Sequence, residues 1–328
     1  MLEFKSIFIE PSVLVLQSKF DGINDRIVRT KDSLKDYEVM FQAPDIQDFG
    51  ATKAKLLVIT GQKDTESTLQ LVNLQSKEVK KINYTGRFIG EIIVGDHKFV
   101  LKVENINNAK RTYVSRLAVL EEGLESYWDA NNIQVKEFNP QFLASSVYDV
   151  FVNSSGTVLF FTGVAYKHYI ADLDNPDSIS ELNGLDRQIL GFVNENQIAF
   201  DNYSPDSGTR LEVMDINTNS SVFLPLTSRK YEQIIINRDA KNLNYTEAKL
   251  VNGERYKGFK AYNNPNIYFI SGFSFEEVQL NSTNDYVLFN KASPEDQGNL
   301  TKSFSVYNLK TKFISNNVIS GTKAIWAR

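Results

Sequence analysis

Three carboxylates crowd one short turn of this chain and form its sharpest candidate for metal chemistry. They are Asp172, Asp174 and Asp177, and Pro176 directly precedes the last of them. Carboxylate oxygens on a short loop suit Ca²⁺, but the turn lacks the glycine and the distal glutamate of a calcium-binding loop. The sequence therefore predicts an ordinary acidic turn and no cofactor, with a Ca²⁺ site as the alternative.

Groups for nucleophilic and general acid–base catalysis are scarce. The chain has no cysteine, and its two histidines, His97 and His168, lie far apart in the sequence. No Gly-x-Ser-x-Gly elbow and no glycine-rich phosphate loop occurs. We expect His97 in a hairpin turn and His168 at the start of a strand, each with a structural role.

Paired carboxylates are the remaining route to an enzyme, because glycoside hydrolysis needs two of them within several ångströms. The acids available near the starts of repeat units are Glu91, Asp149, Glu276 and Glu277. On alternating strands these positions face solvent as readily as they face each other. The sequence assigns no catalytic residue, and a protein that is not an enzyme is the favoured interpretation.

The elements that carry these residues repeat along the chain. An apolar alternation, usually ending in Asn or Asp, followed by Leu or Ile and a polar turn, recurs at 69–74, 117–120, 169–173, 211–216 and 304–309. The copies fit a period of about 47 residues, which is typical of radially repeated four-stranded sheets. The terminal Asn or Asp is predicted to accept from backbone N–H groups two residues on and so to start the turn.

Each repeat unit contains four runs rich in β-forming residues, most clearly Gln188–Val193, Asn196–Phe200, Arg210–Asp215 and Val222–Leu224. The sequence therefore predicts an all-β fold, a seven-bladed β-propeller of four-stranded antiparallel blades, with six or eight blades as alternatives. The approximate blades are 1–44, 45–86, 87–130, 131–184, 185–228, 229–272 and 273–316, with a closing strand in 317–328. We expect Ala324–Ala327 to pair with a first strand at Phe4–Ile9, because an unpaired sheet edge is a liability.

Charge and hydropathy exclude two classes of partner. The chain has 328 residues and a net charge of −4, without a basic run, so nucleic acid is not expected as a partner. Met1–Lys5 lack the basic and apolar regions of a signal peptide, and no later segment approaches the ~20 apolar residues that span a bilayer. We expect a soluble chain without membrane insertion.

Three segments, Val152–Phe161, Phe192–Phe200 and Leu280–Phe289, place a polar turn before an apolar strand. They resemble TolB-like and WD40-like propeller repeats, in which a later strand ends in an Asp-Leu or Asp-Ala step. The Trp-Asp step of WD40 repeats does not end the repeated strands and occurs once, at Trp128-Asp129, outside them, and Asn-rich turns replace the Pro-Asp-Gly turn of TolB-like repeats. The resemblance implies a propeller fold and a tendency toward binding and scaffolding, often outside the bacterial cytoplasm.

Loops between the second and third strands of each unit are the predicted binding elements, because they emerge on one face of a propeller. Tyr203, Asp206 and Glu295 lie in or beside two Ser-Pro-acid turns, and Tyr166 lies in a third such loop. Phe138 and Phe142 form a second candidate in the long unit 131–184. Alternatively, the Ser-Pro-acid turns only reverse the chain, and the two phenylalanines only cap the channel mouth.

These observations predict a non-catalytic propeller that serves as a protein-interaction or assembly module, with a protein as partner. We expect an extracytoplasmic location, in the periplasm or at the cell surface, within a longer anchored polypeptide, with the cytoplasm as the alternative. Two other functions stay open. One is a carbohydrate-binding or carbohydrate-active propeller that uses the central channel, with a glycan as its ligand. The other is the regulatory propeller of a larger peptidase.

Overall fold

The computed structural model describes most of the chain. The described residues are 12–31, 33–62, 67–88, 92–95, 97–107, 112–121, 135–137, 150–153, 155–162, 167–175, 178–182, 188–204, 208–224, 231–236, 243–251, 254–261, 267–270, 278–280, 285–291, 302–308, 310–311, 313–315 and 318–327.

Strands are the regular elements of these residues, and none of them is helical. The first fifteen strands are β1 (Ser12–Gln17), β2 (Asp25–Lys31), β3 (Tyr37–Ala43), β4 (Ile46–Ala51), β5 (Lys55–Thr60), β6 (Ser67–Asn73), β7 (Val79–Phe88), β8 (Ile93–Val94), β9 (Lys98–Asn107), β10 (Thr112–Glu121), β11 (Val135–Glu137), β12 (Val150–Val152), β13 (Val158–Thr162), β14 (His168–Asp172) and β15 (Ile179–Leu182). The others are β16 (Gln188–Asn194), β17 (Gln197–Ser204), β18 (Gly208–Asp215), β19 (Ser221–Leu224), β20 (Tyr231–Ile236), β21 (Leu243–Val251), β22 (Glu254–Ala261), β23 (Ile267–Ile270), β24 (Val278–Leu280), β25 (Tyr286–Lys291), β26 (Lys302–Asn308), β27 (Phe313–Ile314), β28 (Ile319–Gly321) and β29 (Lys323–Ala327).

The chain divides into two compact units, one formed by 1–44 with 274–328 and the other by 45–273. The first unit holds a four-stranded sheet in the order β29-β1-β2-β3 and a five-stranded sheet in which β24 to β27 are consecutive and β28 also pairs with β26. The second unit holds the four-stranded sheets β12–β15, β16–β19 and β20–β23, and an eight-stranded sheet from β4 to β11. The described pairings between strands are all antiparallel.

The all-β class and the antiparallel four-stranded sheets that the sequence predicts are confirmed. The eight-stranded sheet departs from that expectation. It forms because the end of β7 pairs with β9, through Arg87 with Glu104 and Phe88 with Val103. Elsewhere the predicted runs fall on observed strands within a few residues. The clearest unit becomes β16, β17, β18 and β19, and β19 differs from its predicted run by one residue.

Alternating side chains make the β12–β15 sheet apolar on both faces. In β13 the neighbours Phe160 and Phe161 are both fully buried, yet they belong to different clusters, because successive residues of a strand point to opposite faces. Phe161 packs with Val100 and Tyr169, whereas Phe160 packs with the β16–β17 residues Phe192 and Phe200. Sheets of the second unit thus stack face to face in chain order.

The two ends of the chain share a sheet in the first unit. Strand β29 pairs with β1, with Ala324 opposite Val15 and Trp326 opposite Val13. Trp326 is buried, and its indole N–H donates to the Gln279 carbonyl at 3.0 Å. The partner expected from the sequence, Phe4–Ile9, lies outside the described residues, and the observed partner of β29 is Ser12–Gln17.

Candidate interaction surfaces

Most of the predicted binding residues lie outside the described part of the chain. This is true of Phe138, Phe142, Tyr166, Asp206 and Glu295. Tyr203 lies in β17, but the structure does not describe its side chain. Of the acids considered for catalysis, Glu91, Asp149, Glu276 and Glu277 are also outside the described residues. The loop site thus stays a prediction.

Two of the three carboxylates considered as Ca²⁺ ligands are engaged by neighbouring groups of the protein, one in a hydrogen bond and one in an ion pair. Oδ1 of Asp172 accepts from the Asp174 N–H at 2.8 Å, which closes the turn after β14. The Asp174 carboxylate pairs with Lys98, whose side chain is only 8% exposed against 56% for Asp174. Asp177 lies outside the described residues. Among the described residues, no group of three His, Asp or Glu side chains could hold a metal ion.

The Asp172 turn is one of four equivalent turns that end the third strand of a sheet. Asn73 Oδ1 accepts from the Gln75 and Ser76 N–H groups, at 2.9 and 3.0 Å. Asp215 and Asn308 accept in the same way from the residues two and three positions on. Hydrogen bonds lower the pKa of Asp215, and the one from the Thr218 N–H has the largest effect. The turn-forming role predicted for these residues is confirmed.

The histidines occupy the positions that the sequence predicts for them. His97 is exposed in the turn between β8 and β9, and His168 opens β14. His168 is buried, its Nδ1 lies 3.0 Å from the Thr162 hydroxyl, and its ring packs 5.7 Å from that of Phe160. Both histidines lie in ordinary hairpin positions.

Turns at one end of the second unit's sheets contact each other. A Cβ added to Gly95, between β8 and β9, would lie 2.6 Å from Gly156 Cα, in the turn between β12 and β13. One turn further on, the Glu195 carboxylate accepts from the Ser155 hydroxyl at 2.6 Å and from its N–H at 3.2 Å. This end of the sheets is closely packed backbone joined by short polar contacts.

In the first unit the described loop between β1 and β2 presents apolar side chains. Residues 18–24 form it, and Ile23 and Phe20 are 71% and 38% exposed. Asp21 holds the loop, since its carboxylate accepts from the N–H groups of Ile23 and Asn24, at 3.0 and 2.7 Å, and from the Asn24 side chain. These hydrogen bonds lower the pKa of Asp21 to about 2, and the bond from the Asn24 side chain has the largest effect.

Arg26 lies beside this loop between two aromatic rings. Its guanidinium carbon is 4.2 Å from the centre of the Phe20 ring and 5.0 Å from that of Tyr37. Nε donates to Gln17 Oε1 at 2.7 Å and Nη2 to the Tyr37 hydroxyl at 3.1 Å. We call Phe20, Ile23, Arg26 and Tyr37 the Arg26 surface. Arginine and tyrosine are the residue types that most often dominate protein-binding energy.

Sequence reasoning missed the Arg26 surface. Its residues belong to no motif, and Tyr37 joins Arg26 only because β2 and β3 pair. The one available signal was the loop itself, where Phe20 and Ile23 flank the turn residues Asp21 and Gly22. Two apolar side chains in a short polar turn are unusual, since such turns favour Gly, Asn and Asp.

Several other exposed apolar side chains lie on the outermost strands of their sheets or, in one case, on the inner strand β7. They are Val39 on β3, Val79 on β7, Val222 and Phe223 on β19, and Phe313 on β27. Scattered exposed apolar residues are normal on protein surfaces. The Arg26 surface differs from them because it adds a guanidinium held in a defined position.

Solved propeller structures are similar to nearly the whole chain. TolB from Acinetobacter baumannii matches with 10% identity over 97% of this chain and 66% of its own, at a TM-score of 0.50. The β-propeller domain of the Trilobed protease from Pyrococcus furiosus matches with 9% identity over 94% and 90%, at 0.58. Acylaminoacyl peptidase from Pyrococcus horikoshii matches with 10% identity over 92% and 49%, at 0.59.

These similarities assign a β-propeller fold and confirm, at the level of fold, the TolB-like resemblance seen in the repeats. The chain spans just under two thirds of the Acinetobacter TolB and about half of the Pyrococcus horikoshii peptidase. No family model and no curated protein matches the sequence. Over the described residues, no helix has the length and hydropathy to cross a membrane.

Proposed function

We propose that this chain is a non-catalytic β-propeller of seven four-stranded blades that binds a protein partner. The blade number is supported by dividing the eight-stranded sheet between β7 and β9, which share only two residue pairs. Each half then has four strands. The proposed blades are 1–44, 45–86, 87–130, 131–184, 185–228, 229–272 and 273–316, and a closing strand in 317–328 joins the first blade.

The single observation that carries the binding function is the Arg26 surface. It combines an exposed aliphatic side chain, two aromatic rings and a guanidinium, which is the composition of a protein-binding hot spot. The loops with Tyr166, Tyr203, Asp206 and Glu295, and the segment with Phe138 and Phe142, are proposed as further contacts. We propose an extracytoplasmic location as well, supported by the TolB-like resemblance alone.

A second candidate is the regulatory propeller of a larger peptidase. The observation in its favour is the similarity to acylaminoacyl peptidase, of which the chain spans 49%. The two functions are compatible, because a regulatory propeller also contacts protein. Reading the coding sequence on both sides of this chain distinguishes them, since a peptidase domain would adjoin the propeller.

Site-specific photocrosslinking tests the proposed function. We would replace Ile23, the most exposed apolar residue of the Arg26 surface, by a benzophenone amino acid and irradiate the organism that encodes the chain. We expect a covalent adduct containing one reproducible protein. The matched control places the same amino acid at Thr311, an exposed turn residue of the same unit, and should give no such adduct.

Absence of any protein adduct from Ile23 would contradict the proposal. A glycan array and assays with glycan and peptide substrates accompany the experiment. Glycan binding or turnover without a protein adduct would favour the carbohydrate function, which uses the channel.

A further inference from the structure

We propose that the Arg26 surface recognises a carboxylate that lies next to an apolar side chain in a protein partner. This inference rests on the proposed protein-binding function and specifies the chemistry of the partner.

A guanidinium carries five N–H donors in a planar fork. Arg26 uses one of them on Gln17 and one on Tyr37, so three remain for a partner. Neither acceptor is charged, and no carboxylate of the described residues pairs with Arg26. Asp21, the nearest acid in the loop, is instead bonded to Ile23 and Asn24. The positive charge of Arg26 is therefore available to a partner.

The guanidinium is fixed before a partner arrives. Gln17 presents Oε1 to Arg26 because its own Nε2 donates to the Ser320 carbonyl at 3.0 Å. Phe20 and Tyr37 hold the guanidinium from their ring faces. The loop that carries Phe20 is itself closed by Phe20 N–H to Asn24 O at 3.1 Å. Little side-chain entropy remains to be lost on binding, which favours affinity.

The neighbouring side chains define the second part of the partner. The Phe20 and Tyr37 rings against the guanidinium are 38% and 51% exposed, and Ile23, in the same loop as Phe20, is 71% exposed, so apolar surface is available near the positive charge. A carboxylate receives two parallel N–H bonds from an arginine fork. An acidic residue adjacent to an apolar one satisfies both features.

The charge of the whole chain favours a single carboxylate over a polyanion. At a net charge of −4, the chain repels nucleic acid and anionic membranes over long range. An ion pair with one buried or half-buried carboxylate acts over a short distance. Salt screens it much less than it screens the long-range repulsion from the whole chain.

A random dodecapeptide library displayed on phage is the probe that tests this inference. The library is selected on the full wild-type chain and counter-selected on Arg26→Gln, which keeps a polar side chain and removes the charge. We expect the selected peptides to carry Asp or Glu beside an apolar residue. A synthetic peptide from the selection should bind at least 10-fold more weakly to Arg26→Gln, and similarly when its acid is changed to the amide.

Arg29→Gln is the matched control, because Arg29 lies on the same strand and donates to Ser12 without stacking on a ring. It should bind the peptide like the wild type. Arg26→Lys should bind weakly, since lysine keeps the charge and loses the planar fork. Thermal melting of each variant verifies that it is folded.

Three results would overturn the inference. They are selection of no peptide, selection of peptides without an acid, and equal binding to wild type and Arg26→Gln. If the photocrosslinked partner of Ile23 also binds Arg26→Gln unchanged, protein binding stands and carboxylate recognition fails. Loss of the adduct itself would instead contradict the proposed function.

Discussion

Side-chain oxygens of Asn and Asp shape the turns of this molecule one residue at a time. Asn73, Asp172, Asp215 and Asn308 each accept from a backbone N–H two residues on, and Asp21 does the same in the loop of the Arg26 surface. Such bonds compete with extension of the strand and start the reversal. An acid at these positions is engaged in structure, which argues against a catalytic role for it.

Asp21 makes the stability of its loop dependent on pH. Its folded pKa is about 2 against 3.8 for an unperturbed aspartate, because Asn24 and Ile23 donate to the carboxylate. A depressed folded pKa contributes stability that is fully present above pH 3.8 and is lost as pH falls toward 2. We expect wild type to be more resistant to urea than Asp21→Asn at pH 6, and this difference to shrink as the pH falls below 3.8.

Urea midpoints of both proteins across this range provide the measurement. The control is Lys35→Gln, at an exposed residue of the same unit, whose difference from wild type should not follow the Asp21 window. A difference between wild type and Asp21→Asn that stays constant down to pH 2.5 would contradict the assignment.

At the scale of elements, hairpin turns of adjacent sheets touch at Gly95. The φ of Gly95 lies outside the left-handed region, so an alanine there is not strained by its own backbone. Its methyl group would nevertheless lie 2.6 Å from Gly156 Cα, which belongs to backbone and cannot rotate away. We expect Gly95→Ala to lower the free energy of unfolding by about 1–3 kcal/mol, the usual effect of overpacking.

Thermal or urea denaturation measures this change. His97→Ala, two residues further along the same turn, is the control and should be close to neutral because His97 is exposed. Equal stability of Gly95→Ala and wild type would mean that the two turns do not pack as described.

The strands could be predicted from the sequence because their information is local. A short apolar run bounded by turn residues identifies strands such as β13, and the Asn or Asp at the end of the third strand marks where it ends. The merging of β7 with β9 could not be predicted, since it depends on two residue pairs that extend an otherwise regular edge.

The Arg26 surface could not be predicted from local sequence patterns. Phe20 and Arg26 are close in sequence, but Tyr37 reaches them only through the pairing of β2 with β3, which contains a bulge between Ile27 and Val28. Gln17 is fixed by Ser320, which lies at the other end of the chain. A site assembled by tertiary pairing leaves no spacing signal in the sequence.

At the scale of the whole molecule, the pairing of β29 with β1 connects residues from opposite ends of the chain. Forming contacts of such large sequence separation costs the entropy of closing a loop that contains nearly the whole chain. The two strands also contribute buried side chains to one core cluster, among them Val13, Ala324 and Trp326. Linking the two strands covalently should therefore stabilise the fold by restricting the unfolded chain.

Ser12 and Ala327 are cross-strand partners and suit a disulfide, because Cα atoms of antiparallel partners lie about 4.5–5.5 Å apart. The chain contains no cysteine, so a Ser12→Cys/Ala327→Cys pair has no competing thiol. Closing a loop of nearly the whole chain is expected to stabilise by up to about 5 kcal/mol. We expect the oxidised double variant to melt several degrees above its reduced form. Each single cysteine variant should melt at the same temperature with and without reductant, and a double variant that does the same would mean that the ends do not pair stably.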